Sequence, residues 1–370
     1  MGLTVTFCNY LRNQYHFTYD VIKPCCWIKD TKVDIRDNNI KTISASWAQI
    51  SDWTPSCEYC HKLELNGAES PRTSAFKEDI FDYDSDPRSP IKLEVQIDDT
   101  CNAACLMCGS WNSSTWQQYV VNTMKDKVIL NLRETSINDR IDAIKSTIDF
   151  NKVKQIHFFG GEPFKTDTHL RVLREVQRPN DTNLLYVTNG SIFPNKEIID
   201  LLSSFKSVTI AISIDGINEH FNYLRWPLQW NKIEDNLLEY SKLSPSVFNI
   251  QVSFIATPFN MYYQDRYTEW AVGFFKNSHI NGSTWFLNPN PVDGIINLSC
   301  VPPNLQHAIR QKYGESRIVK LIEPFDIKKY KNFIRYVHYH DRFRNLNWRE
   351  TFPEIVPFFE NINNVSAGFD

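Results

Sequence analysis

Three cysteines stand in one short stretch, Cys101-x3-Cys105-x2-Cys108. A [4Fe–4S] cube usually takes four cysteines, so three thiolates in one loop hold three irons and leave the fourth open. An open iron binds a small chelating molecule through an amino nitrogen and a carboxylate oxygen. The reduced cube can then pass that molecule one electron. Spacing alone leaves two other readings. One is a zinc site, which normally wants four ligands and would need a distant fourth such as His157. The other is three buried structural thiols.

A second group lies earlier. Cys57-x2-Cys60 is a chelating pair, PCCW presents Cys25 and Cys26, and Cys8 sits on an expected strand. Strands over 3–10 and 15–23 would form a hairpin that joins Cys8 to Cys25. Four such thiols make a closed site, and spacing does not separate zinc from a second cluster. Eight of the nine cysteines precede residue 109, and Cys300 stands alone. A disulfide scaffold suits small exported chains that lack a core. This chain has 370 residues and no basic-then-apolar leader pattern at its start. Clustered thiols therefore point to metal or cluster ligation, and to a cytoplasmic location.

The elements that must position these groups follow an alternating rhythm. Strand-like runs occur at 92–97, 154–159, 183–188, 207–214, 248–256 and 283–287. Helix-like stretches fall at 113–125, 166–178, 195–205, 232–242 and 261–276. Six β-then-α units predict an α/β fold with a parallel sheet, doubly wound or curled into an incomplete barrel. Function then gathers at the carboxyl ends of the strands. CNAACLMC, GGEPF, TNG and SIDG each follow a strand. Residues 82–90 read as a linker, and 328–343 as a helix. The expected division is a Cys-rich module at 1–80, a barrel at 91–287 and a mostly helical extension at 288–370.

The cysteine triple followed by FFGGEPF (158–164) and SIDG (213–216) resembles the radical S-adenosylmethionine superfamily. The resemblance covers about residues 91–287 and implies a partial (β/α)6 barrel. It implies that Cys101, Cys105 and Cys108 hold a catalytic [4Fe–4S] cluster. It also implies reductive cleavage of S-adenosylmethionine to a 5′-deoxyadenosyl radical that abstracts hydrogen from substrate. An external one-electron reductant of flavodoxin or ferredoxin type would supply the electron. Met107 takes the position before the third cysteine, which is often aromatic in the superfamily and is associated with adenine packing.

Adjacent glycines permit close backbone approach and leave carbonyls free to accept from an ammonium group. The resemblance assigns Gly160, Gly161, Glu162 and Pro163 to the methionine amino group. Ser213 and Asp215 suit ribose hydroxyls, although Asp215 before a glycine also suits a turn or cap. Asn189 has the same ambiguity. Arg225 suits the methionine carboxylate. Gln251 and Ser253 share one face of their strand by the two-residue period and reach toward the same pocket.

The N-terminal cysteines, with the tail CEYCHKLELNGAESPR (57–72), resemble twitch or SPASM-type auxiliary-cluster modules placed ahead of the barrel. On that resemblance Cys8, Cys25, Cys57 and Cys60 ligate an auxiliary [4Fe–4S] cluster, with Cys26 as the alternative to Cys25. Cys300 is either a core thiol or, as in some radical epimerases, a hydrogen donor to a substrate radical.

Three functions compete. The first is a radical enzyme that modifies a peptide side chain or backbone by cross-linking or epimerisation. The second acts on a small metabolite such as a sugar, nucleotide or cofactor precursor. The third is a non-catalytic zinc- or cluster-binding protein. The net charge of −3 gives no basic surplus for nucleic acid, and no apolar run approaches a membrane span.

Overall fold

The computed structural model describes residues 8–365 apart from 29–30, 51–52, 66, 68, 79, 82–85, 124–132, 278–281 and 288–294. Nine strands form one sheet. They are β1 (Gln14–Thr18), β2 (Val21–Lys23), β3 (Val33–Asp34), β4 (Lys92–Gln96), β5 (Gln155–Phe158), β6 (Asn183–Thr188), β7 (Ser207–Ser213), β8 (Phe248–Ile255) and β9 (Gly282–Leu287). Their spatial order is β3-β2-β1-β4-β5-β6-β7-β8-β9. β1 and β4 through β9 run parallel, while β2 and β3 extend the β1 edge antiparallel.

The sequence explains this layout. Val, Ile and aromatic side chains at alternate positions cover one face: Leu93, Val95, Ile156, Phe158, Leu184, Tyr186, Val208, Ile210 and Ile212 are all buried. Parallel strands of this kind need helices packed on them. Those helices include Ile137–Thr147, Thr168–Leu173, Lys196–Leu202, Trp230–Tyr240 and Gln264–Asn277. Capping fixes their starts: Ser136 and Asp139 form a reciprocal capping box, and Asn195 accepts from the Ile198 amide.

All six expected barrel strands lie within a residue or two of their predicted bounds. The helices at Ile137–Thr147 and Asn218–Leu224 were not anticipated. Ile137–Thr147 is short and rich in charge, and its apolar stripe is narrow. The expected hairpin of 3–10 with 15–23 is corrected. Asn9–Asn13 is a helix, and the hairpin instead joins β1 to β2. Residues 3–7 of that expectation, and 82–85 of the expected linker, lie outside the described residues.

β1 pairs with β4 in register from Gln14↔Lys92 to Thr18↔Gln96, so the N-terminal segment continues the main sheet. Beyond β9 come helices at Pro303–Tyr313, Ile327–Arg344 and Val356–Val365. Phe333 and Phe359 from these helices, with Trp348 and Phe352 from the segment between them, pack around Phe259 on the main core.

Candidate functional site

The cysteine loop leaves the carboxyl end of β4. Its backbone is fixed group by group. The amides of Ala104 and Leu106 donate to the carbonyls of Trp226 and Leu224, each at 2.7 Å. The carbonyls of Ala104, Cys105 and Leu106 accept from Arg344 Nη2 (2.7 Å), Trp116 Nε1 (2.9 Å) and Tyr336 Oη (2.9 Å). Cys101 is tied by its amide to Ser114 Oγ and by its carbonyl to Thr115 Oγ1. These bonds to surrounding elements hold the loop's shape from inside the protein.

Within this frame Cys101 and Cys105 are buried and Cys108 is half-buried. Burial pushes the Cys101 thiol up to about 11 and the Cys108 thiol to about 12. Such thiols do not ionise alone at neutral pH. Metal in their midst reverses that balance, because it favours the thiolate. Donors already face the sulfurs: the Ala103 amide at 3.4 Å from Cys101 Sγ, Arg225 Nη1 at 3.8 Å from Cys105 Sγ, and the Gly109 amide at Cys108. A donor-lined trio of this kind fits cluster thiolates.

The GGE segment locks onto the loop's entrance. The amides of Gly161 and Glu162 donate to the carbonyls of Asp98 and Thr100. A Cβ on Gly161 would lie 2.3 Å from the Thr100 carbonyl oxygen. The glycine is therefore needed for backbone contact inside the protein, whatever else it admits. Glu162 is buried, and burial raises its carboxyl above the usual range. It accepts from Thr188 Oγ1 (2.7 Å), the Asn189 amide (2.8 Å) and the Phe164 amide (3.2 Å). Glu162 thus ties the end of β6 to the end of β5. Pro163 opens the short 3-10 turn that follows.

Asn189 reaches back to the loop. Its Nδ2 donates to Asn102 Oδ1 at 2.9 Å and lies 3.9 Å from Cys101 Sγ. Asp215 and Arg225 face each other: Arg225 Nη2 is 2.6 Å from Asp215 Oδ2, and both are buried. The other carboxylate oxygen of Asp215 accepts from the Ile255 amide. Arg225 therefore faces Asp215 and the Cys105 sulfur, and its Nε is buried with no hydrogen-bond partner. Ser213 stands opposite Ser253 in register, and Gln251 opposite Ala211. Gln251 Oε1 is buried with no hydrogen-bond partner. Met107 is half-buried against the main core.

Residues 95–252 match the Radical SAM superfamily model. This segment is a radical SAM domain. The match covers under half of the chain and leaves the reaction unspecified. A domain of this kind implies a [4Fe–4S] cluster and S-adenosylmethionine. No curated protein matches the chain. Among solved structures, native anSMEcpe with bound AdoMet is 16% identical, with 70% of this chain and 63% of that chain covered and a TM-score of 0.37. Streptococcus suis SuiB bound to S-adenosylmethionine is 10% identical, with 77% and 52% covered and a TM-score of 0.37. SuiB bound to precursor peptide SuiA is 11% identical, with 88% and 69% covered and a TM-score of 0.38. The chain spans less than two thirds of the first two, and likenesses this weak transfer nothing to the site.

Outside the matched segment, Cys8, Cys25, Cys57 and Cys60 line one cleft together with Trp27, Tyr59 and Arg72. Cys26 is not among its lining residues. Its thiol is directed at Glu94. The cleft thiols also meet donors. Cys8 receives the amides of Leu11 and Tyr10, Cys25 those of Trp27 and Ile28, and Cys60 the Arg72 amide and Ser70 hydroxyl. Thr54 Oγ1 stands 3.5 Å from Cys57 Sγ. Among the described residues no group of three or more His, Cys, Asp or Glu side chains is arranged to hold a single metal ion.

Topology places the two cysteine sets at opposite ends of the sheet. Cys8 and Cys25 lie beyond the amino end of β1, where Pro24 O meets Gln14 Nε2. The radical SAM loop follows the carboxyl end of β4. A five-residue strand separates the two ends by roughly 15 Å.

Between them runs a titratable row that sequence reading missed. His16, Glu94 and His157 are neighbours across β1, β4 and β5. His16 Nδ1 is 3.0 Å from Glu94 Oε2. His157 Nε2 is buried without a hydrogen-bond partner, and burial pushes its pKa down to about 3. The structure sets His157 beside Glu94 rather than at the loop. The signal was present as alternation: Lys92, Glu94 and Gln96 interrupt an otherwise apolar strand every second residue. Cys300 is fully buried in the main core, with its sulfur 3.8 Å from the Ile295 carbonyl oxygen.

Proposed function

We propose that the chain reductively cleaves S-adenosylmethionine and uses the resulting radical to abstract hydrogen from a peptide side chain or backbone, leading to a cross-link or an epimerised centre. The observation that carries the first half is the loop itself, three donor-faced thiols at the end of β4 clasped by Gly161 and Glu162. A cluster held by Cys101, Cys105 and Cys108 would supply one electron and an open iron for the amino acid moiety of the cosubstrate. The partners proposed are a peptide and an external one-electron reductant.

The protein's own residues then bind and orient. Carbonyls around Gly160–Pro163 accept from an ammonium group. Ser213, Ser253 and Gln251 offer hydroxyl and amide groups on one face of β7 and β8. Gln251 Oε1 is an acceptor in search of a donor, and a buried unpaired acceptor costs about 1–3 kcal/mol until a ligand fills it. Asn189 holds Asn102 and so the start of the loop. Arg225, with its charge balanced by Asp215, orients toward Cys105 and would steady the cluster rather than clamp a carboxylate.

The sheet is read as a partial barrel, and Cys8, Cys25, Cys57 and Cys60 as ligands of an auxiliary [4Fe–4S] cluster. Support comes from the shared cleft and the donors on each thiol. The tail residues also fit: Ser70 and Arg72 both bond Glu64, with Arg72 Nε at 2.9 Å, and the Arg72 amide donates to Cys60 with the Ser70 hydroxyl beside it. The peptide reading rests on the likeness of this module to twitch and SPASM types. The test is spectroscopic. In anaerobically reconstituted protein the reduced-cluster EPR signal is expected to change on addition of S-adenosylmethionine, and to be missing for that site in Cys105→Ala. A wild-type signal indifferent to S-adenosylmethionine would overturn the assignment.

A further inference from the structure

Helix Ile327–Arg344 lies outside the radical SAM match, yet its last turn reaches the cysteine loop. Arg344 is only 6% exposed. Its guanidinium carbon sits 5.4 Å from the Trp116 ring centroid, 5.5 Å from Tyr119 and 5.4 Å from Trp226. Nη2 donates to the Ala104 carbonyl, one residue before Cys105. Nε has no hydrogen-bond partner.

Among the described residues no carboxylate lies within ion-pair distance of this guanidinium. The acid one turn earlier, Asp341, accepts instead from Tyr223 Oη at 2.8 Å and the Trp348 amide at 3.1 Å. Arg225, the other buried guanidinium at the loop, is balanced by Asp215. The aromatic faces, the Ala104 carbonyl, the Tyr119 hydroxyl and the more distant Asp341 carboxylate offset this charge only in part, and a buried cation without a close ion-pair partner is costly. A [4Fe–4S] cube with thiolate ligands carries net negative charge, and more once reduced.

We propose that Arg344 is a positioning residue whose buried charge, held in no close ion pair, is a counter-ion of the cluster held by Cys101, Cys105 and Cys108. This rests on the radical SAM reading above. Docking of the C-terminal helix and cluster occupancy then stabilise each other. Arg344 also favours the reduced cluster, since a nearby cation favours the more negative state.

The experiment uses the full chain, reconstituted anaerobically with iron and sulfide, and compares wild type with R344Q and R344K. The midpoint potential of the cluster whose EPR signal responds to S-adenosylmethionine is expected to move to a more negative value in R344Q. R344K, which keeps the charge, is expected to stay near wild type. R344Q with a full cluster and an unchanged potential would overturn the proposal. A wild type that takes up no such cluster would instead overturn the radical SAM reading. Should R344Q not fold, hydrogen exchange on wild type decides. Amides of 327–344 are expected to exchange more slowly in loaded than in cluster-free protein, and equal rates would contradict the coupling.

Discussion

Asp215 and Arg225 show how single residues carry this site. Both are buried and paired at 2.6 Å, and Arg225 also faces the Cys105 sulfur. Removing one partner of a buried pair leaves the other charge stranded, so Asp215→Ala is expected to cost about 3–5 kcal/mol in a denaturant titration. A cost below about 1 kcal/mol would mean that solvent reaches Arg225. Gly161 makes a second case. Its Cβ would fall against the Thr100 carbonyl, so Gly161→Ala must displace the loop entrance. The expected loss is about 1–3 kcal/mol, with reduced iron retention after desalting. Unchanged melting and iron content would show that the loop entrance gives way freely. The cysteines were legible at this scale because thiol spacing is written in the chain. The partners of Arg225 were not, because Asp215 reaches it only through the turn after β7.

At the scale of elements, β1 and its hairpin bring the N-terminal cysteines to the amino ends of the same strands whose carboxyl ends carry the radical SAM loop. The parallel strands from β4 onward were readable because long apolar runs alternate with amphipathic helices. The short N-terminal elements were not. A three-residue strand such as Val21–Lys23 has too few positions to show a period, and Asn9–Asn13 gains its helical form from packing rather than propensity. If the cleft lined by Cys8, Cys25, Cys57 and Cys60 holds a [4Fe–4S] cluster, the double variant Cys57→Ala/Cys60→Ala should lower iron from about eight to about four per chain. It should leave the signal that responds to S-adenosylmethionine in place. Unchanged iron, or zinc in the wild-type protein, would contradict this.

For the whole molecule, the order of elements gives one continuous sheet with a cysteine set at each end and a buried His16–Glu94–His157 row between them. Burial also makes stability depend on pH. His169 is pushed down to about 4 and His340 to about 3, while an unfolded histidine titrates near 6.5. Between those values the unfolded chain binds more protons, so stability is full above about pH 6.5 and is lost as pH falls toward 4. Urea titrations across that range should show it, and His340→Gln should flatten the slope; equal slopes would mean that His340 stays accessible. The central claim concerns chemistry, and one assay meets it most directly. Reconstituted protein given dithionite and S-adenosylmethionine, with and without candidate peptides, is expected to yield 5′-deoxyadenosine, and the triple variant Cys101→Ala/Cys105→Ala/Cys108→Ala to yield none. Equal yields from the two proteins would contradict the account.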